Sequence, residues 1–255
     1  VDLKEARAMT GASAPRHPWE RARLSFVVDL LRRHAPDGPV LDVGAGDGFV
    51  ARAIHRGGRR VTAVDDAFTA ADVDALTLDG IDARTALPSG AGHRAALLLD
   101  VIEHVEDDVA LLRAAAACVD EGGVVIVTVP AWPALYSAHD RALDHRRRYT
   151  PAMLDETLRR AGLDVVEGGG LFHALLLPRA ISVWRERRRQ PSPPSSTAAD
   201  LGAIARFPGP ALVGDVVVAA LRAEQRLSRR MARRRPLVRG LPGLSCYAVA
   251  KVHRR

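Results

Sequence analysis

The stretch Val40-Leu41-Asp42-Val43-Gly44-Ala45-Gly46-Asp47-Gly48-Phe49 constrains this chain more than any other. Val40, Leu41 and Val43 suit a buried parallel strand, and three glycines at alternating positions let the backbone turn sharply and approach a ligand that no Cβ would tolerate. The helix that starts near Phe49 aims its free N–H groups into the same space. The expectation is a strand-to-helix turn that holds a small polar ligand. Taken alone, the glycines also fit a plain structural corner.

The rest of the chain repeats this punctuation. Apolar runs at Val61-Thr62-Ala63-Val64, Ala95 to Leu99, Val124 to Val129 and Leu163 to Val166 read as strands, with helical stretches at 24–31, 49–56, 67–78, 107–118 and 153–161 between them. Acids stand at or near strand ends: Asp42, Asp65, Asp82 and Asp100. The alternation predicts an α/β, doubly wound, mostly parallel sheet whose ligands lie off the carboxyl ends of the strands, with those four acids on one rim. Residues 1–39 are expected to form an arm and a cap helix, 40–170 the core, 171–243 an arginine-rich helical cap with a mobile low-complexity loop at 190–200, and 244–255 the last strand.

Gly44, Gly46 and Gly48 do not match the dinucleotide fingerprint G-x-G-x-x-G, since Phe49 takes the place of its third glycine. Asp65 lies about 20 residues beyond the turn, where it can accept both hydroxyls of a ribose. Ribose is favoured, pyrophosphate less so. Acids at strand ends would compensate a cationic ligand, whereas a pyrophosphate would be repelled.

On these residues the sequence resembles the class I methyltransferases that use S-adenosylmethionine (SAM), in particular the branch that includes ubiquinone-biosynthetic methyltransferases. Leu41 to Gly48 is similar to their first motif, Val61 to Asp65 to the second, and Leu99-Asp100-Val101-Ile102-Glu103-His104-Val105-Glu106-Asp107 to the segment at the fourth strand. The resemblance implies a seven-stranded Rossmann-like sheet and SAM as cofactor. It places Gly44, Ala45 and Gly46 along the methionine part of SAM and Asp42 near its ammonium. Asp65 would bind the ribose with Asp66 beside it, although Asp66 also reads as a solvated neighbour. Asp82 and Ala83 would border the adenine, Asp100 and Val101 would face the sulfonium, and Trp19 and Arg23 would cover the cofactor from the N-terminal helix. Core packing is the alternative for Trp19.

Methyl transfer from a sulfonium is an in-line displacement, so the enzyme has to align the acceptor and, where needed, take a proton from it. His104 stands just past the fourth strand, and the loop Ser137 to Thr150 resembles a His-Asp to His-Arg-Arg-Tyr segment of methyltransferases linked to small-molecule and lipid-like substrates. His104, His139 and His145 are therefore candidates for base or substrate contact, Asp140 for orienting a histidine and Tyr149 for a polar contact; for His104 an equal alternative is a capping or supporting histidine fixed by Glu103. Equally open is a loop locked by pairs between Asp140, Asp144 and Arg146 to Arg148. A metal on His139, Asp140, Asp144 and His145 matches no ligand spacing and is not expected.

Net charge is +7, carried by arginine: Arg179 to Arg239 holds fourteen arginines against four acids. That insertion suits a membrane surface or an acidic substrate, or simply a solvated face. Aromatics are only 4% of the chain and do not interleave with the arginines, which argues against nucleic acid. Cys118 and Cys246 are too few and too far apart for a disulfide scaffold or a zinc site. With no leader read near Val1 and no apolar run of about 18 residues, a cytoplasmic setting is expected. The expected activity is methyl transfer to O, N or activated carbon of a small or amphiphilic molecule. An RNA methyltransferase and a catalytically silent SAM-binding protein are the rival readings. Nothing in the sequence speaks to oligomeric state.

Overall fold

A computed structural model describes residues 16–188, 211–234 and 242–253. The N-terminal arm as far as residue 15 and the low-complexity loop at 190–200 lie outside the described residues.

Along the chain the elements are α1 (Pro18–His34), β1 (Val40–Val43), α2 (Phe49–Arg56), β2 (Val61–Val64), α3 (Ala70–Leu78), β3 (Asp82–Arg84), β4 (His93–Leu99), α4 (Asp108–Ala117), β5 (Val119–Pro130), α5 (Ala138–Ala142), α6 (Pro151–Arg160), β6 (Leu163–Leu171), α7 (His173–Arg188), α8 (Ala211–Arg234) and β7 (Ser245–Val252). The seven strands form one sheet in the order β3-β2-β1-β4-β5-β7-β6. All pairings are parallel except those of β7, which runs antiparallel to both β5 and β6. The mostly parallel, doubly wound sheet is thus as expected.

Residue alternation explains the two-sided cover. Val40, Ala95, Leu97, Val124 and Ile126 face one buried cluster with Phe26 and Leu30 of α1, while Leu41, Ala96, Leu98, Val125 and Val127 face another with Leu112 of α4 and Leu158 of α6. A sheet buried on both faces needs apolar side chains at almost every strand position. That is why its strands read as unbroken apolar runs.

Three local features position the site. Helix α1 starts early, at Pro18, because His17 and Glu20 form a capping box, and so it carries Trp19 and Arg23. Glu167 of β6 then fixes the other end of α1: Arg33, His34 and the hydroxyl of Tyr247 all hydrogen-bond its carboxylate and, despite burial, hold its pKa below the ordinary range. Finally β5 is longer than its apolar run, starting at Val119 and ending on Pro130, which has no N–H with which to extend the ladder.

Two expectations about placement are corrected. Asp82 opens β3 and stands in register with Thr62, while Val64 at the carboxyl end of β2 faces Arg84. Asp82 is therefore two residues short of the rim, and its carboxylate pairs with Arg84 at 2.8 Å. Ala83 stands beside Ala63 in mid-sheet. The helix expected to begin at Ala67 begins at Ala70, because Thr69 and Asp72 form a capping box there. No helix among the described residues is long and apolar enough to cross a membrane.

Candidate active site

The turn after β1 is built as the glycines require. Gly44, Gly46 and Gly48 have φ of 68°, 56° and 73°, in the left-handed region that a Cβ disfavours. At Gly44 a Cβ would lie 2.5 Å from a methyl of Val101, so this glycine lets the β1 turn close against the end of β4. Around Gly46 nothing lies within 4 Å of where a Cβ would be. Its backbone borders open space, and its N–H donates to Oδ2 of Asp65 at 2.7 Å.

The other oxygen of Asp65 accepts from the N–H of Ala67 at 3.0 Å. The two backbone donors orient the group, and a carboxylate oxygen is able to accept more than one hydrogen bond. Asp66, its neighbour, is exposed. Asp42 lies on the same face of β1 as Val40, towards α1 and α2. It is buried, and its Oδ2 has no hydrogen-bond partner among the described residues. Burial pushes its pKa up to about 7, against the pull of the Arg23 guanidinium. A buried, half-satisfied carboxyl of this kind is costly unless something cationic or hydrogen-bonding meets it.

Asp100 follows β4 with a φ of 59°. Its Oδ1 accepts from the Thr128 hydroxyl at 3.0 Å, and its Oδ2 accepts from Arg23. The Arg23 guanidinium also lies 4.7 Å from the centre of the Trp19 ring, while Trp19 packs at the edge of the core. Helix α1 thereby brings a stacked cation to the end of β4. The acids Asp42, Asp65 and Asp100, with the open backbone at Gly46, fit a cationic adenosyl ligand.

A second group of side chains belongs to the loop between β5 and α6. Asp140 is fully buried in α5 and is the centre of that loop. Nδ1 of His145 lies 3.0 Å from its Oδ1, Nε of Arg148 donates to the same oxygen at 2.7 Å, and the N–H and hydroxyl of Ser137 both donate to Oδ2 at 3.0 Å. Burial alone would raise its pKa; the bonds from His145 and Arg148 outweigh that and hold it well below the usual carboxylate range. An ionised Asp140 keeps the proton of His145 on Nδ1, which leaves Nε2 as the basic nitrogen.

The loop is stitched to the turn after β4. The Arg146 backbone donates to the Glu103 carbonyl at 2.8 Å and its Nε to the His104 carbonyl at 2.9 Å, while Arg147 reaches the carbonyls of Val105 and Glu106. These contacts bring His145 to His104, with ring centres 4.8 Å apart at 78°. His139 is the third histidine of this region, and the charge of His145 acts on it. Burial, reinforced by the nearby Arg179 cation, lowers its pKa to about 4, so it is neutral and weakly basic at pH 7.

Tyr149 does not take the place expected for it. A parallel bridge between Ala131 and Tyr149 turns the ring inward, where it is 1% exposed. Its hydroxyl donates to Oδ2 of Asp108 at 2.7 Å and also lies 3.3 Å from the carbonyl of Ile102. The residue ties the β4 turn to the start of α4, and burial with the Asp108 carboxylate raises its pKa far above the ordinary value.

Glu103, which the sequence offers only as an acid that fixes His104, has no hydrogen bond to that histidine among the described residues. It is fully buried, neither carboxylate oxygen has a hydrogen-bond partner among the described residues, and burial with the charge of Asp100 raises its pKa well above the ordinary value. Glu103, His104 and His145 bring donor atoms to within 4.8 Å of one another, a grouping that could hold a metal ion. In the quartet considered from the sequence, Asp140 is instead spent on His145, Arg148 and Ser137. The only sequence signal for Glu103 was an acid directly before a histidine at the end of an apolar strand.

Helix α7 holds the loop from its other side. Glu186 accepts from the N–H of Ala138 at 2.8 Å, Arg187 donates to the carbonyl of Ala134 at 2.7 Å, and Arg179 donates to the Ser137 hydroxyl. Helix α8 packs along α1 instead, with Arg229 on Asp29 at 3.0 Å and Arg21 on Asp215 at 2.8 Å.

Residues 17–168 match a family model described as a methyltransferase domain. The chain is 28% identical over 203 residues to a ubiquinone biosynthesis O-methyltransferase of Xanthomonas axonopodis pv. citri, which covers 70% of this chain and 80% of that protein. It is also 28% identical over 193 residues to the protein of that name from Azorhizobium caulinodans, 63% of this chain and 76% of the relative. Among solved structures, geranyl diphosphate C-methyltransferase from Streptomyces coelicolor superposes with a TM-score of 0.54 at 16% identity over 91% of this chain and 79% of that one. Phosphoethanolamine N-methyltransferase 2 from Haemonchus contortus does so with a TM-score of 0.55 at 14% identity, over 90% of this chain and 53% of that one. At such identities the superpositions speak for the fold.

Proposed function

The chain belongs to the methyltransferase-domain family, and on that premise we propose that it moves a methyl group from SAM to an oxygen, nitrogen or activated carbon of a small or amphiphilic acceptor. The observation that carries the reading is the run of acids beside an open glycine turn. Asp42 has a carboxyl oxygen with no partner among the described residues, Asp65 is oriented by the Gly46 N–H, and Asp100 is paired with Arg23. Among the described residues a pyrophosphate cofactor would meet three carboxyls and an Arg23 already paired with Asp100; an adenosyl sulfonium meets complementary charge.

When bound, SAM supplies an electrophilic methyl group on a sulfonium. The chain's own work is to bind, align and handle a proton. Asp65 takes the ribose hydroxyls, Asp42 the ammonium, and Asp100 with Val101 borders the methyl. Trp19 and Arg23 close over the ligand from α1. For a hydroxyl or amine acceptor, Nε2 of His145 takes the proton, with Asp140 holding the ring in the productive tautomer and stabilising the imidazolium that forms. His104, stacked edge-on against it, lines the acceptor side.

The curated relatives are named for ubiquinone biosynthesis and O-methylation, which supports an acceptor hydroxyl. The free, buried cysteines Cys118 and Cys246 suit a reducing, cytoplasmic setting. The test is titration calorimetry with SAM, then mass spectrometry of reactions with phenols, amines, indoles and lipid extracts. SAM binding with a methylated product supports the proposal. No heat of binding, or binding with no product from any acceptor class, removes it.

A further inference from the structure

Helices α7 and α8 carry most of the large apolar side chains left in water. Of nine such exposed side chains among the described residues, seven belong to these two helices, among them Leu177, Ile181 and Trp184 on α7 and Leu212, Val213 and Val216 on α8. Positions 177, 181 and 184 follow helical spacing, so they form one stripe, and Leu177 and Trp184 are 68% and 52% exposed.

Helix α7 is apolar on two faces: Leu175 packs against the core and Val183 is buried, yet Leu177, Ile181 and Trp184 face outward. Arg179, Glu186 and Arg187 spend their polar groups on the loop around Asp140. An ordinary surface helix buries its apolar stripe and hydrates its charges. Here a second stripe points out, bordered by arginines, and the Arg188 guanidinium lies 3.9 Å from the centre of the exposed Trp184 ring.

Charge selects the occupant. The two helices hold ten arginines against Glu186, Asp215 and Glu224; Arg179, Arg187 and Arg229 among them are engaged within the protein, and the remainder still outnumber the acids. A polyanion such as RNA would satisfy the arginines and leave Leu177 and Ile181 in water. An uncharged apolar partner would satisfy the leucines and strand the arginines. An anionic bilayer meets both, because aliphatic side chains enter the acyl boundary, tryptophan sits at the headgroup level and arginines snorkel to the phosphates. We propose that the outward stripe of α7, together with the first turns of α8, docks this protein peripherally on an anionic lipid surface.

The docked helix also grips the acceptor loop through Glu186 and Arg187, so the lipid surface adjoins the candidate site. That link to an amphiphilic acceptor rests on the proposed methyl transfer. The docking rests on α7 and α8 alone.

The test is co-sedimentation of the full chain with vesicles of phosphatidylcholine alone and of phosphatidylcholine with phosphatidylglycerol, in the absence of SAM. Sedimentation with the anionic vesicles only, weakening as salt rises, is expected. The double substitution Leu177→Asp and Trp184→Glu should lower that binding by about tenfold or more, with melting temperature and SAM affinity unchanged. The proposal is overturned by equal sedimentation of the wild type and the variant, or by none with either vesicle. It is also overturned by a concentration-dependent dimer that the substitutions abolish, which would assign the stripe to a second copy. SAM affinity is read separately, so failure of the methyltransferase reading and failure of the docking are told apart.

Discussion

Nδ1 of His145 lies 3.0 Å from Oδ1 of Asp140, a carboxylate with no solvent exposure that also receives Arg148. The contact fixes the histidine tautomer and the loop at once. Asp140→Asn keeps the shape and removes the charge, which leaves the buried Arg148 without its counter-ion. Breaking a buried pair in this way costs on the order of 3 kcal/mol, and chemical denaturation should register it. Methyl transfer to a hydroxyl acceptor should fall at least about tenfold, since the histidine is freed to take either tautomer. SAM affinity measured by calorimetry should hold.

The same carboxylate sets an acid limb of stability. Its folded pKa is depressed, so the stability it contributes is present above the unfolded value of about 3.9 and is lost as pH falls through that value towards the folded one. Denaturant midpoints measured below pH 5 should therefore drop more steeply for the wild type than for Asp140→Asn. Parallel curves would remove Asp140 from the acid response.

Asp42 acts with the opposite sign. Its folded pKa is raised to about 7, so the native state holds an extra proton between about 4 and 7 and loses stability as pH rises through that window. Asp42→Asn should flatten this part of the stability curve. A cationic ligand favours the ionised carboxyl, so SAM should bind more tightly as pH rises through 7, releasing a proton near neutrality. Calorimetry in buffers of different ionisation enthalpy measures that proton directly. A buffer-independent binding enthalpy at pH 7 would count against Asp42 as a cofactor contact.

The glycine turn, the alternation of elements and the acids at Asp42, Asp65 and Asp100 were legible because buried parallel strands and positive-φ turns leave strong marks on a sequence. Asp82 was misplaced because β3 is a three-residue edge strand, too short for a pattern to set its register against β2. Tyr149 was misread for a different reason. In a loop crowded with ionisable groups, composition does not say which side chain turns inward, and one bridge to Ala131 decides it. Glu103 reads in sequence as an acid that fixes His104; the packed structure buries it, with no hydrogen-bond partner for either oxygen among the described residues. The outward stripe on α7 was hidden in the same way, since apolar residues at helical spacing normally signal a core.

Tyr149→Phe separates structure from chemistry. The hydroxyl donates to Asp108 in the interior, and a buried bond to a charged acceptor contributes about 2 kcal/mol. In a domain of this size that loss lowers the melting temperature by roughly 4–8 °C. SAM affinity and turnover at a temperature where the variant is folded should match the wild type. A specific loss of turnover would return Tyr149 to the reacting centre.

The three histidines should divide. A base is most effective when its pKa lies near the working pH, and His139, lowered to about 4 by burial and Arg179, is a weak one. His139→Ala should therefore leave turnover within about threefold of the wild type. His145→Ala removes the oriented nitrogen and should reduce turnover about a hundredfold, within the range that one general base supplies. His104→Ala removes the ring that stands edge-on to His145 and should fall between the two. Assays at saturating SAM, with an acceptor shown to be methylated, give kcat directly, and SAM affinity serves as the control for folding. If all three variants retain turnover with intact SAM affinity, no histidine takes the proton, and alignment of the acceptor alone carries the rate.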